Sequence, residues 1–308
     1  GCGCGVEPIE CNDGSVECSA IDCCRIKTEM ISVGDHQACS LNEDGVMECW
    51  GTSAYIPGGS CCTDEPAPSG SYNQVDVGKM HTCAVRSDGS LQCWGFNSSG
   101  MSDPPGGSFS QVSSGYYNGC AINNNGEIEC WGNSDYASSY PTSDEIFSYI
   151  APGRGWHYCG LTTNQEARCW GLNNSGQSSP PAGTFSDIAV SYSNSCGINS
   201  NGNIECWGST SSNIINEIPT GTFTDIALSD SRGCAIKETG LIECWPEGYD
   251  VTSPYQTDEW EEEDWMSGQI TYYSGPIASG TIFTSISMGG SHGCGIDGYG
   301  ITQCWGGE

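Results

Sequence analysis

Short stretches of alternating apolar and polar residues follow one another along most of the chain, separated by turns rich in Gly, Asn, Asp and Ser. Cys120 and Ile122 lead into the turn Asn-Asn-Asn-Gly126, after which the alternation resumes at Ile128 and Cys130. Alternation with period two is typical of β-strands. Asn-Gly and Asp-Gly turns accept the positive φ that tight hairpins require. The chain is therefore predicted to be all-β.

This hairpin recurs seven times, always as Cys, small residue, aliphatic residue, turn, aliphatic residue, polar residue, Cys and Trp. Because the two Cys of a unit are ten residues apart around a central turn, they should lie opposite each other on neighbouring strands. We therefore predict seven cross-strand disulfides, each contributing about 2–3 kcal/mol. The pairs are Cys39–Cys49, Cys83–Cys93, Cys120–Cys130, Cys159–Cys169, Cys196–Cys206, Cys234–Cys244 and Cys294–Cys304.

A third strand is predicted before most hairpins, beginning at an aromatic residue such as Tyr72, Phe109, Phe185, Phe223 or Phe283. Three short strands in about 38 residues cannot bury their own faces, so the units must stack on one another. Seven such units fit a closed, seven-bladed β-propeller, since closure protects the open edges of the sheets.

The motif Gly-x-x-His-x-Cys-Ala, followed by Asp-Gly and Cys-Trp-Gly and best seen from Gly78 to Gly95, resembles the regulator-of-chromosome-condensation repeat. The resemblance covers residues 31–308 and implies a seven-bladed propeller. The short period is more similar to that of secreted bacterial members than to the longer eukaryotic repeats. A Cys pair in every blade and the absence of basic character set this chain apart from the chromatin-bound members. Their guanine-nucleotide-exchange activity is not expected here.

Net charge and cysteine content exclude some classes of partner and indicate the cellular compartment. The chain has 38 Asp and Glu against 8 Lys and Arg, a formal net charge of −30, which repels nucleic acid and anionic membrane surfaces. No apolar run is long enough for membrane insertion. The 22 Cys indicate an oxidising compartment. We expect a mature, secreted protein, located outside the cell or at its surface.

Two regions depart from the repeat. Residues 1–30 are expected to form a Cys-rich arm before the propeller at 31–308. This arm could cover the open edge of the last blade, or pair with the next molecule and build a polymer. The connectivity of the eight remaining cysteines, which are candidates for the arm or for assembly, stays open. They are Cys2, Cys4, Cys11, Cys18, Cys23, Cys24, Cys61 and Cys62.

The second departure is an insertion at 246–281, in which acidic and aromatic residues alternate. Aromatic side chains dominate interface hot spots, so Trp260, Trp265, Tyr272 and Tyr273 are candidate contacts for a cationic partner. The alternative is a solvated acidic hairpin.

Catalytic and cofactor signatures are absent from the sequence: no nucleophile elbow, phosphate loop or metalloprotease motif occurs, and no carboxylate pair is singled out. The histidines His36, His81, His157 and His292 lie just before the first Cys of a unit, which favours a structural role over a metal ring. No metal or cofactor is expected, although Ca²⁺ could bind weakly to the acidic surface. Asn97 and Asn173 are candidate glycosylation sites.

The sequence thus predicts a non-enzymatic, secreted structural or binding propeller that associates with itself through its termini into a filament or surface assembly. The alternative is a monomeric propeller that binds or inhibits another secreted protein through its rim loops. An enzyme acting from the propeller axis would require convergent carboxylates with perturbed pKa values.

Overall fold

The computed structural model describes residues 27–35, 37–51, 67–133, 141, 145–151, 153, 155–246, 277–290 and 292–306. In these ranges the chain forms seven three-stranded antiparallel sheets, the blades of a β-propeller, so the predicted fold is confirmed. Blades are numbered along the chain, and each runs from an inner through a middle to an outer strand. The strands are β1 (Thr28–Val33), β2 (Gln37–Asn42), β3 (Met47–Gly51), β4 (Tyr72–Val77), β5 (His81–Arg86), β6 (Leu91–Gly95), β7 (Phe109–Ser114), β8 (Asn118–Asn123), β9 (Ile128–Gly132), β10 (Phe147–Ile150), β11 (His157–Thr162), β12 (Ala167–Gly171), β13 (Phe185–Val190), β14 (Asn194–Asn199), β15 (Ile204–Gly208), β16 (Phe223–Leu228), β17 (Gly233–Lys237), β18 (Ile242–Trp245), β19 (Phe283–Met288), β20 (His292–Asp297) and β21 (Thr302–Gly306).

A disulfide joins the middle and outer strands of every blade at directly opposite residues, with Cα atoms 4.0–4.1 Å apart. These are the seven pairs expected from the repeat. The first Cys of each pair is fully buried. The bridges therefore lie within the apolar layers between blades and fix the register of each hairpin.

The apolar core is divided into clusters that lie between neighbouring blades. Phe185, Ile188 and Trp207 of blade 5, for example, pack against Cys159 and Leu161 of blade 4. Since each blade buries its inner-strand side chains against the blade before it, no blade has a complete core of its own. This is the stacking that the short repeat requires.

The ring closes through β1, which packs against the last blade. Ile31 and Val33 lie in one cluster with Cys294 and Ile296, and the Thr28 amide donates to the Gly300 carbonyl at 2.8 Å. In each of the six other blades, the backbone N–H of the first inner-strand residue donates the same kind of bond to a carbonyl in the hairpin turn of the preceding blade. The first blade therefore starts at Thr28, three residues before the expected boundary at residue 31.

The connections between blades add no fourth, outer strand where the structure describes them in full. In the three fully described connections, 96–108, 172–184 and 209–222, no such strand forms, and the last contains only the short helix α1 (Asn213–Asn216). Each instead buries one residue beneath the Trp of the following blade. The indole N–H of Trp131, Trp207 and Trp245 donates at 2.8–3.0 Å to the carbonyl of Met101, Gln177 and Ile214 respectively. The three-stranded last blade is thus not exceptional.

Several predicted features lie outside the described residues. They are the eight non-repeat cysteines, the four insertion aromatics Trp260, Trp265, Tyr272 and Tyr273, and His36. Within the described ranges, no helix has the length and apolar character needed to cross a membrane.

Candidate functional site: the propeller axis and its loop face

The inner strands leave backbone groups pointing at the axis without a strand partner, and side chains from the preceding blade satisfy them. The Gln74 amide accepts from the Val112 N–H and donates to the Val112 carbonyl, both at 2.8 Å. Gln111 makes the same pair of bonds to Ile150, at 2.8 and 3.0 Å. A primary amide matches this task because it carries one donor and one acceptor side by side.

In blades 5 and 6 the same position, the third residue of the inner strand, is an Asp. The Ile226 amide donates to Asp187 at 3.1 Å, and the Ile286 amide donates to Asp225 at 2.9 Å. The two carboxyl groups also lie close enough to interact. Two buried carboxylates repel each other, which favours a proton held by the pair.

Burial raises the pKa of Asp187 well above its ordinary value, and the neighbouring Asp225 charge adds to the effect. Burial also raises the pKa of Asp225, against the opposing effect of the Ile286 N–H. Tyr149 occupies the equivalent position in blade 4, and burial followed by the Asp187 charge raises its pKa well above the usual range. The structure thus singles out a carboxylate pair where the sequence had shown none.

This pair does not form an open catalytic pocket. Its oxygens accept backbone N–H groups, and toward the loop face the axis narrows to a cavity of about 60 Å³ lined largely by small and aliphatic residues, including Val33, Leu228 and Met288. Neither Asp187 nor Asp225 lines this cavity. In the described residues, no three His, Cys, Asp or Glu side chains come together as a metal-binding group.

His81 and His157 are both buried, and each is the first residue of a middle strand. Their hydrogen-bond surroundings differ. His157 Nε2 lies 2.8 Å from Ser195 Oγ of the next blade. Since that hydroxyl donates to the Gln177 carbonyl, the imidazole Nε2–H is the donor. His81 has no hydrogen-bond partner for either ring nitrogen in the described structure, because Gly119 stands where Ser195 would. Burial lowers the pKa of His81 to about 4 and that of His157 to about 3.

The loops from inner to middle strands gather around the axis on one face, here called the loop face. Tyr116 stacks on Trp156 of the next blade, with ring centroids 5.1 Å apart and planes at 13°. Tyr117 lies against both rings, at 4.3 and 5.4 Å. The equivalent loop of blade 5 contains Tyr192, whose surface is 45 % exposed. We call these four residues the aromatic arc.

Lys79 of blade 2 lies at one end of the aromatic arc. Its Nζ is 4.6 Å from the Tyr116 ring centroid and 3.1 Å from the Asp35 carboxylate of blade 1. Burial disfavours the charged amine, but Asp35 and the more distant Asp230 outweigh this effect and hold the pKa of Lys79 above its ordinary value. Three successive blades thus supply a carboxylate, a cation and an aromatic ring to one contact.

The two candidate glycosylation sites lie at equivalent positions in the connections that follow blades 2 and 4. Both are exposed, and their side-chain oxygens accept backbone amides: Asn97 from Ser102 at 3.0 Å and Asn173 from Ser178 at 2.9 Å. This turn-stabilising bond accounts for both asparagines. Their glycosylation stays a prediction.

The fold and the braced ring define a class, the disulfide-stapled seven-bladed β-propellers. Within it, residues 73–100, 109–137 and 153–177 match the family model of the Regulator of chromosome condensation (RCC1) repeat, which confirms the resemblance read from the sequence. The chain therefore contains repeats of this type. No curated protein sequence matches it.

Solved structures share this architecture. The entire ectodomain of the Physcomitrella patens receptor kinase CR4 is similar with a TM-score of 0.68 and 21% identity, over 92% of this chain and 74% of that one. The CRINKLY WD40 ectodomain of the Arabidopsis thaliana receptor kinase ACR4 gives 0.60 and 25%, over 73% and 81%. Prp20p from Saccharomyces cerevisiae gives 0.57 and 17%, over 71% of each chain.

Sequence reasoning missed both the aromatic arc and the carboxylate pair. The signal was present in the register of the repeat. The residues that follow the Gly at the end of an inner strand are Tyr116 and Tyr117 in blade 3, and the equivalent loop of blade 4 contains Trp156. An alignment of the seven units on their cysteines places Tyr116 and Tyr192 in one column with Lys79, and Tyr117 and Trp156 in the next column.

Proposed function

We propose that the protein is a non-enzymatic, extracellular binding propeller that holds a partner protein on its loop face. The observation that carries this proposal is the aromatic arc, a partly exposed surface formed by three consecutive blades at the mouth of the axis. Aromatic side chains supply much of the energy of protein interfaces. Loops presented by a rigid scaffold are the usual location of binding sites.

The surroundings of the arc support the same role. Seven disulfides, each with its first Cys fully buried, brace the scaffold, which fits an oxidising environment. Two structural neighbours are ectodomains of receptor kinases. Prp20p has binding properties toward Gsp1p and histones, so propellers of this shape can hold protein partners. The acidic chain favours a basic partner.

A peptide library displayed against the immobilised protein tests this role, followed by calorimetry of the enriched peptides. Trp156→Ala should weaken their binding by about tenfold or more, because it removes a central aromatic contact. Tyr299→Ala is the matched control, since Tyr299 is 82 % exposed in a hairpin turn on the opposite face. Wild-type affinity in both Trp156→Ala and Tyr116→Ala would refute the loop face as the contact surface.

Self-association through the termini is the second proposal. Its support is that β1 and blade 7 complete the ring with residues from Thr28 onward, so that closure does not require residues 1–26. Electron microscopy of the native material, with and without reductant, tests it. Filaments that dissolve on reduction are expected, and rings dispersed under both conditions would exclude the polymer.

A further inference from the structure

We propose that the loop face contains a cage for one cationic side chain, Lys or Arg, of the partner protein, and that Lys79 occupies this cage in the unbound molecule. The inference rests on the proposed function of the loop face as the contact surface and specifies the chemistry that it recognises.

The cage has two walls from different blades. The Asp35 carboxylate lies 3.1 Å from Lys79 Nζ, and the Tyr116 ring lies on another side of the amine at 4.6 Å. A carboxylate and an aromatic face are the two groups that recognise an ammonium or guanidinium ion. Trp156 stacks on Tyr116 at 5.1 Å and so fixes the orientation of the ring.

Lys79 has the properties of a displaceable occupant. It lies in the short loop between β4 and β5, and its side chain keeps 32% of its surface exposed. The four-carbon stem of a lysine is flexible, and the ammonium is readily hydrated when it leaves. Displacement would leave the Asp35 carboxylate and the Tyr116 ring in place for another cation.

The negative net charge of the molecule favours a cationic group as the ligand of the cage. A net charge of −30 raises the local concentration of cationic partners, and the Asp230 carboxylate adds to the negative field at Lys79. A neutral sugar would need an open aromatic face for stacking. Displacement of Lys79 opens one face of Tyr116, but a neutral sugar carries no charge to pair with the adjacent Asp35 carboxylate, whereas a cation engages both groups.

The test uses two probes of nearly equal shape, N-acetyl-arginine amide and its neutral counterpart N-acetyl-citrulline amide, titrated by NMR at physiological salt. Lys79→Met removes the internal occupant and should bind the arginine probe about tenfold or more tightly than wild type, because the competing state is removed. Lys237→Met is the matched control: it makes the same change of charge at the Lys237–Glu243 ion pair of blade 6 and should leave the affinity unchanged.

A further change, Tyr116→Leu in the Lys79→Met background, should return the arginine probe to wild-type affinity. Lys79→Gln, a second variant, should behave like Lys79→Met. Equal affinity of the arginine probe for Lys79→Met and Lys237→Met would overturn the cage, as would equal binding of the citrulline probe. Either result with Trp156→Ala still impairing peptide binding would refute the cage alone and leave the loop face as the contact surface.

Discussion

Blades 2–3 and blades 5–6 satisfy the inner-edge backbone groups of the next blade with different side chains. In the first group, Gln74 and Gln111 bridge to the next blade with neutral amides, and we call blades 2–4, which these two bridges join, the amide half. In the second, the acid half, Asp187 and Asp225 do so and share a proton. The amide half also contains the buried His81 and His157. One geometric task is therefore met by a neutral amide in one half and by a titratable carboxyl group in the other.

The two halves should destabilise the ring at opposite ends of the pH scale. The folded pKa values of the buried histidines lie below the unfolded value of about 6.5, so their contribution to stability is present above that pH and is lost as the pH falls. The pKa of Asp187 is raised in the folded state. Its contribution is present at low pH and is lost as the pH rises through the folded pKa.

The largest effect is expected when the amide half loses His81, which tests its acid sensitivity. His81→Asn introduces the residue that blades 3 and 5 carry at this position, Asn118 and Asn194. A shift from about 6.5 to about 4 corresponds to roughly 3 kcal/mol of stability lost between neutral pH and pH 4. The variant should lose that much less than wild type, measured as the change in unfolding free energy between the two pH values.

The absolute stability of His81→Asn at neutral pH is not the readout, since the smaller side chain fills less volume. The readout is the difference between the two pH values. His157→Asn should likewise reduce the loss of unfolding free energy on going from neutral pH to pH 4, here called the acid limb of the stability profile, because that imidazole is also buried and neutral. An acid limb identical to that of wild type in both variants would contradict the assignment of acid sensitivity to the amide half.

The parts predicted from the sequence are those that depend on neighbours within one unit. The hairpins, the opposition of Cys120 and Cys130, and the strand that begins at Phe109 follow from local alternation and turns. The inner ring depends on which residue of one blade meets the backbone of the next. Nothing within blade 5 shows that Asp187 will face Ile226, or within blade 2 that His81 will face a glycine. Such contacts require the register between blades.

The second-largest effect on stability is expected for the Gln111 side chain, which bridges blade 3 to Ile150 of blade 4. Gln111→Ala removes both bonds to Ile150 and leaves a buried N–H and C=O unsatisfied, which should cost about 2 kcal/mol or more at every pH. Gln111→Glu sharpens the comparison, because only a protonated Glu can replace both the donor and the acceptor of the amide. Its unfolding free energy should therefore rise as the pH falls, unlike that of the alanine variant. A glutamate variant without this rise would show that the Gln111 amide donor is dispensable.

The smallest effect is expected for the acid half, where Asp187→Asn replaces the titratable carboxyl with a neutral amide that can donate to Asp225. The variant should match wild type at a pH below the unfolded Asp value of about 3.9 and increasingly exceed its unfolding free energy as the pH rises from there, since it has no proton to lose. Asp103→Asn makes the same change of charge on an exposed connection and should follow the wild-type profile, which thermal unfolding across this range would measure. If Asp187→Asn loses stability with rising pH as steeply as wild type, the shared proton is not what makes the acid half sensitive to alkali. The contrast between the two halves would then reduce to the histidines alone.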